Sequence, residues 1–158
     1  MGATTYDLTS GLDGLQSNVA RAAMDVPGTV LMKIRYSMPL WIAKKGVAAF
    51  SGASSDVLQL LDIPAGTFVH ACWVKLITPE GATLGGTIGD DAQAAGFVGT
   101  VTLNGTAGTW YGPAGSEAYA AYGGKFYDSA NSIDIVLATE ATVTTAVFDL
   151  YVLATFSA

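Results

Sequence analysis

Asp56-Val57-Leu58-Gln59-Leu60-Leu61-Asp62-Ile63-Pro64-Ala65-Gly66-Thr67-Phe68-Val69-His70-Ala71-Cys72-Trp73-Val74-Lys75-Leu76-Ile77-Thr78-Pro79-Glu80-Gly81 decides the fold class. Pro64 sets φ at the second position of one turn, and Pro79 with a closing Gly81 does the same for another. Between them, residues 67–77 are rich in β-branched and aromatic side chains and contain no breaker, which predicts one long strand. Residues 56–63 predict a shorter strand ahead of it.

The same grammar runs outward in both directions. Residues 30–38 alternate, with Lys33, Arg35 and Ser37 on one face and Met32, Ile34, Tyr36 and Met38 on the other, so a half-buried strand is expected. Pro39 interrupts it, and Leu40-Trp41-Ile42 reads as a bent continuation or an edge strand. Residues 83–89 and 97–103 read as weaker strands flanking Asp90-Asp91. Asn104-Gly105 is a preferred type I′ hairpin dipeptide and predicts that 97–103 fold back on 106–111. Residues 108–124 are glycine-rich and read as a long surface loop. Segments 125–127, 132–138 and 143–156 complete the set, and the last, apolar on both faces near its end, is expected at the sheet centre or at a subunit contact. About eight strands in this arrangement specify an all-β chain: an antiparallel β-sandwich, jelly-roll-like, with an extended N-terminal arm. Residues 1–28 are assigned to the arm, read either as a frayed terminus or as a segment ordered by a neighbouring subunit, with a candidate short helix over 17–24, and the sandwich domain to 29–158.

Composition bounds what such a domain does. Of 158 residues, 51% are hydrophobic and only 13% charged, about half the charged share of an ordinary soluble domain. The longest apolar runs fall well short of the roughly 18 residues a spanning helix needs. The surplus apolar surface is therefore assigned to a homo-oligomeric interface. The formal charge is −6 and unevenly spread. Arg21, Lys33, Arg35, Lys44 and Lys45 make the first part mildly basic, a stretch either solvated or able to dock on a subunit or an acidic partner. The acidic remainder argues against nucleic acid. The single Cys72 allows no intrachain disulfide, and the N-terminus lacks the pattern of a secretion signal, so synthesis in a reducing cytoplasm is expected.

Three constellations carry residues capable of chemistry. His70 and Cys72, two apart on a strand, should share a face, where a nucleophile and base could sit; two packing residues explain them as well, and no spacing supplies an orienting third group. Asp90-Asp91 in a glycine-rich loop could hold a hard cation, against the simpler reading of a solvated turn. Trp110-Tyr111, with Tyr119, Tyr122 and Tyr127 nearby, could form an aromatic platform for a ligand, or fill an interface or the core. With its one His and one Cys committed together, the chain lacks ligands for a zinc site. No catalytic residue, cofactor or metal is assigned.

The order Asp62-Ile63-Pro64-Ala65-Gly66-Thr67, Ile77-Thr78-Pro79-Glu80-Gly81-Ala82-Thr83 and Thr87-Ile88-Gly89-Asp90, followed by Ala121-Tyr122-Gly123-Gly124-Lys125-Phe126-Tyr127 and Ser132-Ile133-Asp134-Ile135, resembles small structural proteins of tailed bacteriophage virions. The resemblance implies a virion component of the capsid cement or decoration kind, bound to the outer shell as a homotrimer. It implies the major capsid protein as partner, the capsid surface as location, and no nucleic acid, membrane or enzymatic role. The alternative is a head-fibre or tail receptor-binding protein that takes a glycan at Trp110 and Tyr111. A Cys72-dependent hydrolase is the third class.

Overall fold

The computed structural model describes residues 5–7, 28–46, 50–139 and 141–157, and the candidate helix over 17–24 lies outside them. The deciding stretch folds as its turns dictate: β4 (Val57–Ile63) enters the Pro64 turn, and β5 (Thr67–Thr78) leaves it. Gly66 closes that turn at φ 82°, a left-handed value that glycine adopts without penalty. The other strands are β1 (Thr5–Asp7), β2 (Gly28–Ser37), β3 (Phe50–Gly52), β6 (Gly85–Gly89), β7 (Val98–Thr102), β8 (Trp110–Tyr111), β9 (Lys125–Tyr127), β10 (Asn131–Leu137), β11 (Ala141–Val143) and β12 (Val147–Phe156).

They form an antiparallel β-sandwich. One sheet has the order β1-β4-β10-β6-β7, the other β2-β12-β5-β8 with β9 also on β5, and β11 pairs with β3 as a small ribbon. Among the described pairings only β1 on β4 is parallel. The core lies between the sheets and is built by alternation. Met32, Ile34 and Tyr36 of β2, Val74 and Leu76 of β5, and Leu150 and Val152 of β12 meet Leu58 and Leu60 of β4, Ile133 and Ile135 of β10, and Ile88 of β6. Each fully buried aliphatic or aromatic side chain contributes roughly 1.5–3 kcal/mol. Strand β12 sits between β2 and β5, the central place its two apolar faces predicted.

Three expectations are corrected. Residues after Pro39 do not extend the strand: Met38–Lys45 is an α-helix, α1. Ser37 caps it by accepting from the Leu40 N–H, Pro39 occupies the first turn where its missing N–H costs nothing, and Gly46 ends it at φ 68°. Asn104-Gly105 does not make a type I′ hairpin, because neither residue has positive φ. The Asn104 side chain instead accepts from the Leu84 N–H, and β8 crosses to the other sheet to pair with β5. Third, the β5–β12 register skips His70, since Leu153 faces Ala71 and Ala154 faces Val69. This bulge turns His70 and Cys72 to opposite faces.

Two buried carboxylates fasten the corners. Glu80, in the second turn of the deciding stretch, accepts from the backbone N–H groups of Thr144, Thr145 and Ala146 and from both threonine hydroxyls. It thereby fixes the entry to β12. Glu117 accepts from the N–H of Gly99 and of Ala114, covering part of the outer edge of β7 and pinning the glycine-rich loop.

Candidate interaction face

The outer surface of the β2-β12-β5-β8 sheet gathers the residues that the fold leaves without a core to join. Its register sets them in rows. Arg35, Asp149, Lys75 and Trp110 lie side by side across the four strands; Lys33, Tyr151 and Trp73 form the next row, and Leu31, Leu153 and Ala71 the one after. Asp149 is the single carboxylate among them and is buried under its partners: Arg35 forks onto it at 2.7 and 2.9 Å, and Lys33 reaches it at 3.2 Å. Burial alone would raise the Asp149 pKa, but the Arg35 and Lys33 contacts outweigh it and hold the carboxyl below its ordinary range.

Cations and rings interleave on this face. The Trp110 and Tyr151 rings pack 4.9 Å apart, Lys75 Nζ lies 5.3 Å from the Trp110 ring centre, and Lys33 Nζ lies 5.8 Å from that of Tyr151. Trp110 remains 52% exposed and Leu31 62%, so the patch is open. Three cations against one carboxylate make it electropositive on a chain of formal charge −6.

The structure thus joins two groups of residues that the sequence left separate. Lys33 and Arg35, expected as contact residues, share this face with Trp110, expected in a binding loop. Tyr111 does not: it packs against the core, and its hydroxyl donates to the Thr102 carbonyl at 2.8 Å. Arg21 and the side chains of Lys44 and Lys45 lie outside the described residues. Tyr151, Trp73 and Asp149 were not singled out from sequence, although their alternation with Cys72, Val74, Leu150 and Val152 marks them as outward positions.

The remaining constellations resolve into structure. Cys72 is fully buried, which pushes its thiol pKa far up, and His70 on the opposite face bonds to Thr155 at 2.8 Å. That pair is not a nucleophile and base. Asp90 is not a solvated turn residue. Its Oδ1 accepts from the Tyr119 hydroxyl and the N–H groups of Ala92 and Gln93, and its Oδ2 from Lys125 Nζ at 2.6 Å and the Tyr127 hydroxyl at 2.8 Å. Both oxygens are committed to protein donors. Asp91 stays exposed and accepts from Asn131. Among the described residues no cluster of three or more His, Cys, Asp or Glu is placed to hold a metal ion.

Asp90 instead ties the two sheets together, since it ends β6 of one and binds β9 of the other. Gly124 makes that approach possible: at φ 132° it lies against β5, where a Cβ would run into the Val69 carbonyl. Tyr119 and Tyr127, expected in an aromatic platform, are held here. Tyr122 alone of that trio is fully exposed.

Near this clasp, Asp134 is buried with its Oδ1 unpartnered. Burial, reinforced by Asp90, Asp91 and Asp62, raises its pKa from 3.8 to about 6, against the Ser132 hydroxyl. A raised carboxyl disfavours folding progressively as pH climbs from the unfolded value through the folded one. Asp134→Asn is therefore expected to stabilise the protein by up to about 3 kcal/mol at pH 7. The gain should shrink to a small remainder by pH 4, where the folded carboxyl is protonated and the unfolded one is about half so. Urea unfolding at the two pH values checks this, and an equal effect at both would refute it.

No protein-family model matches the sequence, and no curated protein matches it at a significant level. Solved structures do match in fold. A chain from the capsid of Ralstonia phage GP4, 13% identical, aligns over 85% of this chain and 88% of its own with a TM-score of 0.53. A chain from the capsid asymmetric unit of cyanophage Pam1, 17% identical, aligns over 82% and 87% with a TM-score of 0.50. In each pair the covered shares are nearly equal, so the chains are of similar length, and this sandwich is similar in fold to chains of two phage capsids.

Proposed function

We propose that this chain is a structural protein of a bacteriophage virion, a capsid cement or decoration protein that sits on the outer shell as a homotrimer and stabilises it. The observation that carries the reading is the fold, shared over most of its length with chains of two phage capsids. The open, electropositive, aromatic face supports it, as does a composition with too little charge to cover a monomer. The mechanism is linkage: a ligand that binds the assembled shell and not its dispersed subunits shifts the equilibrium toward the shell. Weak contacts repeated around a symmetric oligomer add avidity. The partner in this reading is the major capsid protein; of the stretch expected as an arm, residues 5–7 join the sandwich as β1 on β4 and Gly28 opens β2, and the residues between them add contacts to the shell.

Shells assembled without this protein provide the test. Purified protein is expected to bind them saturably, to raise the temperature at which they come apart, and to show a solution mass three times that of the chain. A monomer without affinity for shells would sink the reading. Glycan binding lost in Trp110→Ala, in a protein that ignores shells, would replace it with a receptor-binding role.

A further inference from the structure

Among the described residues strand β2 ends its sheet, with β12 as its one strand partner. It pairs with β12 over ten consecutive residues, Gly28 on Phe156 through Ser37 on Val147, with no shift of register. Among the described residues no hydrogen bond reaches the backbone groups on its other side. That leaves about 33 Å of straight edge, without proline or bulge, the kind of edge that pairs readily with another chain. The opposite sheet treats its edges differently: β1 covers β4, and Glu117 and Tyr111 occupy backbone groups of β7.

The side chains along this edge state what fits it. Outward stand Leu31, Lys33 and Arg35; inward, Met32, Ile34 and Tyr36 are buried. A second copy pairing through its own β2 would gather two Lys33 and two Arg35 side chains on one face of a shared ladder, where like charges destabilise. A strand with carboxylates on that face and apolar side chains on the other meets cations outside and extends the core inside. We infer that the β2 edge is a docking edge for an extended, acidic-and-apolar alternating segment of the shell protein, bound by strand addition. This deepens the shell reading and rests on it.

Hydrogen exchange of the β2 amides, measured on the full chain free and bound to shells assembled without it, tests the inference. In the free protein the outward amides should exchange rapidly, and binding should protect them. Leu31→Glu, at an exposed position, should keep the thermal midpoint yet bind shells about tenfold more weakly, because it sets a carboxylate against the acidic face of the docked segment. Lys33→Gln, which removes the charge without setting a second carboxylate beside Asp149, should also weaken binding and flatten its salt dependence. Binding that leaves β2 exchanging as in the free protein overturns the docking edge while the shell reading stands. Failure of the unaltered chain to bind shells at all removes the shell reading itself. Protection already present in the free protein and growing with its concentration would assign the edge to a second copy and overturn the inference.

Discussion

Asp90→Ala is expected to lower the folding free energy by about 3–5 kcal/mol, the cost of removing one partner from a buried ion pair. The substitution strands Lys125, two tyrosine hydroxyls and two backbone N–H groups that now converge on one carboxylate. Burial by itself would raise the Asp90 pKa, yet these donors hold it below the ordinary range, so the charged form is the bonded one. Lys125→Met should cost clearly less, because Asp90 keeps its four other donors. Urea unfolding of both variants separates them, and a loss below about 1 kcal/mol for Asp90→Ala would mean that the two sheets hold without the clasp. The consequence reaches the outer face, since β9 and the loop leading to it are fastened to β5 at this point.

Glu80→Ala is the second large effect, about 3 kcal/mol or more, because it leaves three consecutive backbone N–H groups unsatisfied at the entry to β12. Glu80→Gln keeps one acceptor oxygen and should fall between. Burial would raise the Glu80 pKa, but the backbone N–H bonds of Thr145, Ala146, Thr144 and Gly81 hold it below its ordinary range. A depressed carboxyl contributes stability that is complete above its unfolded pKa and disappears as pH falls through the folded one. Glu80, Asp90 and Asp149 all act in this sense. Acid unfolding should therefore set in below about pH 4–5, and the acid limb of Glu80→Ala should be shallower than that of the unaltered chain. Parallel limbs would show that Glu80 does not take part.

Much of the architecture was legible because its signals are local. Pro64 and Pro79 announce their turns wherever they stand, and an eleven-residue run without a breaker extends whatever it packs against. The signals for α1 were also present, in Ser37 as cap, Pro39 in the first turn and Lys44-Lys45-Gly46 at the end, but the alternation of the preceding strand masked them. Asn104-Gly105 misled for the opposite reason. A favourable dipeptide permits a hairpin without compelling one, and the demand that Trp110 and Tyr111 pair with β5 prevailed.

By itself the sequence determined the all-β class, the long strand and its bracketing turns, and the scarcity of charge. These depend on backbone sterics and side-chain type over a few residues. Only the tertiary structure decided which polar groups are structural and which face outward. The bulge at His70 reversed one face of β5, and strands distant in sequence brought Lys125 to Asp90 and Thr145 to Glu80. It also set Lys33 and Arg35 on the same sheet as Trp110. Register between strands is a property of the packed pair, fixed by which side chains fill the common core, and no stretch of either strand contains it alone.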